Sequence, residues 1–384
     1  MGYDFTVEDV RYLSAAADDL AEVDRLELSP RTHLADIGRV RTRFGDRSAA
    51  LVETVLLRRR AEGKLDGLGW LLTDDALQQA TPTVVARHRA ARLSGRDVHD
   101  VTCSVGAELS ALVGAAGRVL GSDIDPVRTA MASRNVPGAT VIRADALAPC
   151  SRDTVVLADP ARRSGGKRRH DPAALIPPLP DLLDVYAGRD IAVKCAPGLD
   201  YDKLGWDGEV EIVSLSGGVR EACLWSPGLA GEGVGRRATV LAADGTGWEI
   251  TDAESDDIPE QDPGEWIVDP DGAVVRAGLV RHYAARHGLW QLDPRIAYLT
   301  GNSVPEGVRG FRILVQLKYS EKALKQELAR LDCGVAEILV RGLDVDPAVL
   351  RPKLKLKGDR SLSVVLTRIG RTPVAFVCEA GARV

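Results

Sequence analysis

Hydrophobic positions recur with two different periods along the chain. Over residues 1–95 the spacing is helical: Leu51, Val52, Val55 and Leu56 form an i, i+1, i+4, i+5 stripe. Thr6 is placed to cap a helix that starts at Val7. Ser29-Pro30 reads as an N-cap followed by proline at the first helical position, and Thr81-Pro82 opens a last helix that stops at Gly95. The striped helix closes on Arg58-Arg59-Arg60 ahead of Gly63, cations that suit the negative end of a helix. From Asp97 the period changes. Short β-branched runs at 98–102, 118–123, 140–143, 154–158, 190–194 and 209–215 alternate with helical stretches, which predicts a doubly wound parallel sheet. A seventh run, 219–225, follows Gly217-Gly218 too closely for a crossover helix, so it must enter antiparallel.

Acidic residues, glycine and proline dominate 244–272, which reads as hairpins and loops. Beyond them the order strand (311–317), helix capped by Ser320, strand (336–340), short helix after Asp346-Pro347, and two strands (361–368, 373–379) predicts a second compact α/β unit. The expected organisation is therefore a helical region at 1–95, a sheet domain at 96–230, and a small α/β domain at 308–384. Between the last two lies an acidic connection at 231–307 with room for a small ferredoxin-like domain.

Composition adds two constraints. With 384 residues, 45% apolar and 27% charged, the chain suits a soluble multidomain protein. It holds no apolar run of the ~20 residues that cross a membrane. Met1-Gly2-Tyr3-Asp4 is too acidic for a signal peptide and only loosely matches a myristoylation pattern. The six cysteines form no C-x-x-C pair, which argues against a zinc site or a disulfide framework and for the reduced cytoplasm. Although the net charge is −5, residues 311–384 carry fourteen Lys and Arg against eight Asp and Glu. Six of the ten lysines fall between Lys318 and Lys357. A basic module on an acidic chain points to an anionic partner, with Lys353, Lys355 and Lys357 as candidate contacts.

Candidate chemistry clusters at the predicted strand ends. Asp100-Val101-Thr102-Cys103-Ser104-Val105-Gly106 lies where the first strand turns into a helix, and small residues there let a ligand approach the backbone. With one glycine, it fails as a G-x-G-x-x-G fingerprint. The second strand ends in Asp123-Ile124, an acid 23 residues after Asp100 that can accept both hydroxyls of a ribose. The third ends in Asp145-Ala146, suitably placed for an adenine amino group, and the fourth in Asp159-Pro160. Four successive strands thus deliver a carboxylate to the edge where open α/β sheets bind ligands.

In order and position these segments resemble the motifs of class I S-adenosyl-L-methionine (SAM)-dependent methyltransferases. The resemblance implies a Rossmann-like sheet of six parallel strands with an antiparallel seventh. It also implies that Asp100, Thr102, Cys103, Ser104 and Gly106 hold the methionine end of SAM. Asp123 and Ile124 would then meet the ribose, and Asp145 and Ala146 the adenine. The whole chain is similar to a bacterial group with a helical N-terminal region and a THUMP-like module at the C-terminus, carried here by 311–328, 351–368 and 372–380. THUMP domains accompany RNA-modifying enzymes, so the resemblance implies tRNA or rRNA as partner, with no metal and no membrane.

Asp159-Pro160 fits the turn with which amine methyltransferases present acceptors to a flipped base, with Arg162 where an aromatic ordinarily stacks. Arg163, Lys167 and Arg168, interleaved with Gly165-Gly166, suit a cationic lid on a phosphate backbone. An alternative uses carbon chemistry. RNA 5-methyluridine methyltransferases carry Asp-Pro-Pro-Arg-x-Gly at this place and a nucleophilic cysteine after a later strand. Here Cys195 would be that nucleophile, its thiol acidified by Lys194, with Glu221 beyond. A nicotinamide or nucleotide-sugar oxidoreductase fits the single-glycine loop and the antiparallel strand less well. A SAM-fold scaffold that binds RNA without chemistry, and a DNA or small-molecule methyltransferase, are the remaining readings.

Overall fold

The computed structural model describes residues 2–162, 172–200 and 202–383. They form two compact units: Met1–Ser216 with Arg220–Gly231 and Leu241–Gly247, and Gly217–Val219 with Glu232–Val240 and Trp248–Val384.

The first unit opens with six helices: α1 (Val7–Ala15), α2 (Ala17–Asp24), α3 (His33–Phe44), α4 (Ser48–Ala61), α5 (Asp74–Gln79) and α6 (Thr83–Arg92). Thr6 closes a reciprocal capping box. Its hydroxyl accepts from Asp9 N at 3.1 Å, while Asp9 Oδ2 accepts from Thr6 N at 2.9 Å. Ser29-Pro30 does not start α3. Ser29 O instead accepts from Thr32 N and His33 N, a turn that delays the helix by three residues. The arginines closing α4 do more than meet a helix dipole. Arg58 donates to the carbonyls of Trp70 and Gly69, and Arg59 to those of Glu27 and Leu26, so both lace loops to the bundle.

The sheet that follows holds β1 (Val98–Asp100), β2 (Val119–Asp123), β3 (Thr140–Arg143), β4 (Val155–Ala158), β7 (Ile191–Cys195), β8 (Glu209–Leu215) and β9 (Gly218–Trp225) in the order β8-β9-β7-β4-β1-β2-β3. A short pair, β5 (Ala161–Arg162) and β6 (Leu175–Ile176), sits apart from it. The helices α7 (Ala107–Leu112), α8 (Pro126–Asn135) and α9 (Leu179–Val185) supply crossovers. Adjacent pairs from β3 to β7 are parallel, and β9 is antiparallel to β7. Ser216 (φ 54°) and Gly217 (φ 79°) form the two-residue turn that reverses the chain from β8 into β9. Six parallel strands with one antiparallel inserted strand are the architecture expected. The N-terminal helices share a core with this fold, since Val105 and Met131 pack among Leu51, Val55, Leu71 and Leu72.

In the second unit, β12 (Trp266–Val268), β13 (Trp290–Gln291), β14 (Leu299–Gly301), β15 (Arg309–Lys318), β16 (Cys333–Val340), β17 (Arg360–Ile369) and β18 (Thr372–Glu379) form one sheet ordered β13-β14-β12-β15-β18-β17-β16. The stretch 231–307 therefore does not make a ferredoxin-like domain of its own, because β12 pairs directly with β15. The helices α12 (Glu321–Arg330) and α13 (Pro347–Leu354) cover one face, where Leu324, Leu328 and Leu350 pack on Val364, Leu366 and Val377. Alternate residues Val365, Phe376 and Cys378 fill the opposite face with Tyr298 and Phe311. Burial on both faces explains why β17 and β18 read as near-continuous apolar runs. After β9 the chain makes a hairpin, β10 (Arg236–Leu241) and β11 (Gly247–Thr251), and within the second unit the helices α10 (Gly272–Ala277) and α11 (Val280–His287) follow β12 and lead to β13. No helix among the described residues is long and apolar enough to cross a membrane.

Candidate active site

Strand order reverses between β1 and β4, and such a switch point opens a crevice at the carboxyl edge of the sheet. A cleft with about 990 Å³ of empty space lies there. Asp100, Asp123, Asp145 and Asp159, from four different strands, all line it. So do Thr102, Cys103, Ser104, Ile124 and Ala146. Gly106 is not on its wall. It caps α7 in the left-handed region (φ 90°), where a Cβ would sit 3.0 Å from Val136 at the C-terminal end of α8.

The glycine-poor loop keeps its course by two devices. Ser104 takes a left-handed φ of 49°, a conformation that costs an L-residue about 1 kcal/mol. Asp123 Oδ2 accepts from Ser104 N at 3.1 Å and holds it there. Gly121 on β2 supplies the space that loop glycines would otherwise give, because a Cβ there would sit 2.5 Å from Leu109 and 3.1 Å from Cys103. Asp123 Oδ1 also accepts from Asp125 N, and Asp145 Oδ1 from Leu147 N, so both carboxylates are fixed by local turns. Ile124 presents an exposed apolar side chain between them.

Thr102 ties two motifs together: its hydroxyl accepts from the backbone N of Asp159 at 2.7 Å. The Asp159 carboxylate is then held from the other side, Lys194 Nζ donating to its Oδ2 at 2.6 Å. Lys194 also lies 3.4 Å from Glu108 and donates to the hydroxyl of Thr81. Glu108 in turn accepts from Arg89 at 3.0 and 3.1 Å, and Arg89 pairs with Glu221. Burial alone would lower the Lys194 ammonium pKa, but the carboxylates of Asp159 and Glu108 outweigh it and leave the group above the usual lysine value. Burial would likewise raise Glu108, and Arg89 and Lys194 reverse that. Asp100 forms no ion pair among the described residues, and Lys194 lowers its pKa less than burial raises it. Burial first, and the Glu108 charge second, push its carboxyl up to about 8.

Behind this partition lies a second chamber with about 1210 Å³ of empty space. Gln79, Ala80, Thr81, Asp159, Ala161 and Lys194 line both chambers, whereas Pro160, Cys195 and Glu221 line only the second. Lys194 does not acidify Cys195. The two are neighbours on one strand, whose side chains point to opposite faces, and Lys194 is committed to Asp159, Glu108 and Thr81. Burial pushes the Cys195 thiol well above its ordinary value. Glu221, bound to Arg89, is not poised as a base.

Arg162 is placed by its backbone, paired with Leu175 across β5 and β6. The expectations on its guanidinium and on Arg163, Lys167 and Arg168 lie outside the described residues. In the second unit, Lys353, Lys355 and Lys357 are exposed and alternate with the inward Leu354 and Leu356. Lys353 is paired with Glu321 at 2.7 Å. Thr81, which the sequence marks only as a helix start, and Arg89 and Glu108 join this site without any local signal of that role.

Residues 308–380 match a family model described as THUMP domain-like. Two Mycobacterium tuberculosis proteins, from strains CDC 1551 / Oshkosh and ATCC 25618 / H37Rv, are each 57% identical over 358 residues, covering 88% of this chain and 99% of theirs. Both are named uncharacterized S-adenosylmethionine-dependent methyltransferases. The crystal structure of a methyltransferase candidate from Porphyromonas gingivalis W83 aligns over 99% of both chains with a TM-score of 0.69 at 20% identity, a likeness of fold. The chain belongs to the S-adenosylmethionine-dependent methyltransferases. It is an enzyme, and SAM is its cofactor.

Proposed function

We propose that the enzyme methylates a base in RNA, with the first chamber holding SAM and the second the base. The observation that carries this reading is the shared partition: one carboxylate, Asp159, faces both chambers at the end of β4. The first chamber suits SAM. Acids at the ends of β2 and β3 line it where a ribose and an adenine amino group would lie, and the exposed Ile124 offers an apolar surface to a purine. The half-buried carboxylate of Asp123 and the exposed one of Asp145 favour a cationic ligand. SAM supplies a methyl group on a positively charged sulfur. The protein's part is orientation, which dominates such transfers. Asp159 Oδ2 is anchored by Lys194, which leaves its other carboxylate oxygen to accept an N–H of the acceptor and fix the attacking nitrogen. An exocyclic amine therefore suits this geometry better than ring-carbon attack through Cys195, whose thiol is buried and protonated.

RNA is favoured over other acceptors by the THUMP-like match over 308–380 and by the exposed lysines of α13 and the loop after it. The second chamber has the room for a base extruded from its strand. The test is incubation of the pure protein with isotopically labelled SAM and total bacterial RNA, followed by mass spectrometry of the nucleosides. Label is expected in one nucleoside, and Asp159→Ala should abolish its incorporation while leaving SAM affinity within a few-fold. No label in RNA, or full activity in Asp159→Ala, overturns the reading.

A further inference from the structure

The second chamber carries charges that the transfer itself does not use. Its two carboxylates are both spoken for: Asp159 by Lys194, and Glu221 by Arg89. Two further cations, Lys64 and Arg220, line the same chamber. Lys64 follows α4, and its ammonium donates to the carbonyls of Leu77 and Gln78 at 2.6 and 3.0 Å. These carbonyls belong to the last turn of α5, whose negative end suits a cation. Two of the three ammonium hydrogens are thereby placed, and one donor remains. Arg220 on β9 is exposed and has no ion-pair partner among the described residues. Burial first, and then the cations of Lys194 and Arg220, hold the Lys64 ammonium below the ordinary lysine value. Like charges thus line one chamber close enough to disfavour one another, an arrangement that an incoming anion relieves.

We propose that Lys64 and Arg220 form a phosphate-binding subsite at the second chamber, taking the phosphate of the nucleotide whose base enters it. This rests on the assignment of that chamber to the acceptor. A base drawn out of its strand needs its backbone anchored, and backbone contacts of this kind set register while the chamber reads the base. Arg220 offers a planar fork for two phosphate oxygens, and Lys64 a point charge already oriented by α5.

The test uses the full chain and two probes, a fragmented total-RNA pool and the four nucleoside 5′-monophosphates measured beside their nucleosides. Wild type, Arg220→Ala and Arg220→Lys are compared, with SAM affinity as the control for folding. For RNA, Arg220→Ala is expected to flatten the dependence of log affinity on log salt by about 0.7, the value for one phosphate no longer neutralised, with Arg220→Lys restoring most of it. For the small probes, the preference of wild type for the monophosphate over the nucleoside should vanish in Arg220→Ala. RNA binding with an unchanged slope in Arg220→Ala overturns the subsite while leaving RNA as the substrate. Monophosphate preference that depends on Arg220, without any RNA binding, keeps the subsite and overturns RNA. No preference for either phosphorylated probe overturns the subsite.

Discussion

Asp100 gives this enzyme a pH-dependent liability that can be measured without any substrate. Its carboxyl is fully buried, and burial, with the Glu108 charge behind it, lifts the pKa from 3.8 to about 8. The folded state therefore keeps a proton that the unfolded chain gives up. The sign follows: stability is undiminished below the unfolded value near pH 4, falls as pH rises, and levels off above the folded value near pH 8. At about 1.4 kcal/mol per pH unit, the loss is about 2 kcal/mol at pH 5, about 4 at pH 7 and about 6 above pH 8. Asp100→Asn removes the titration but keeps the oxygen that accepts from Thr102 N. The variant should accordingly be more stable than wild type, with a margin that widens with pH. Urea unfolding of both proteins without SAM, at pH 5 and pH 8.5, measures it. A margin equal at the two pH values would refute the assignment of a proton to buried Asp100.

Two other perturbations probe the site and the exposed lysines of the second unit. Cys195→Ala should retain methyl transfer within a few-fold, since the thiol is buried and raised rather than acidified. Loss of activity, together with a covalent adduct between wild type and 5-fluorouridine RNA, would restore the cysteine mechanism. Replacing Lys355 and Lys357 together by Ala should weaken RNA binding and lower the salt slope by about 0.7 to 0.9 for each phosphate they neutralise. A slope that does not move would return these lysines to the solvated surface.

What the sequence made legible was local. Strands 140–143 and 209–215 were readable residue for residue because β-branched runs with sharp breaks define them. The four strand-end acids were readable because a parallel sheet places every such turn on one edge. Ser320 and Asp346 cap their helices as their positions suggest. The misreadings have physical reasons as well. In 231–307 the strands at Trp266–Val268, Trp290–Gln291 and Leu299–Gly301 have two or three residues, too few to show a period, so acidic loops masked their place in the larger sheet. Lys194 looked like a partner for adjacent Cys195, but its hydroxyl partner Thr81 lies 113 residues away. Pairings of that kind are made by the fold, and no spacing rule reports them.

The shared lining at Gln79, Ala80 and Thr81 has a consequence for how this enzyme can be dissected. These residues close α5 and lead into α6, yet they wall both chambers, and Thr81 receives the ammonium that steers Asp159. The helical region thus supplies a wall of both chambers and is not an appendage to the sheet. A fragment cut at the first strand would keep the sheet and its four acids but have an open side where the two chambers meet. Any transplant of this specificity onto another Rossmann-like sheet must carry the loop from α5 to α6 with it.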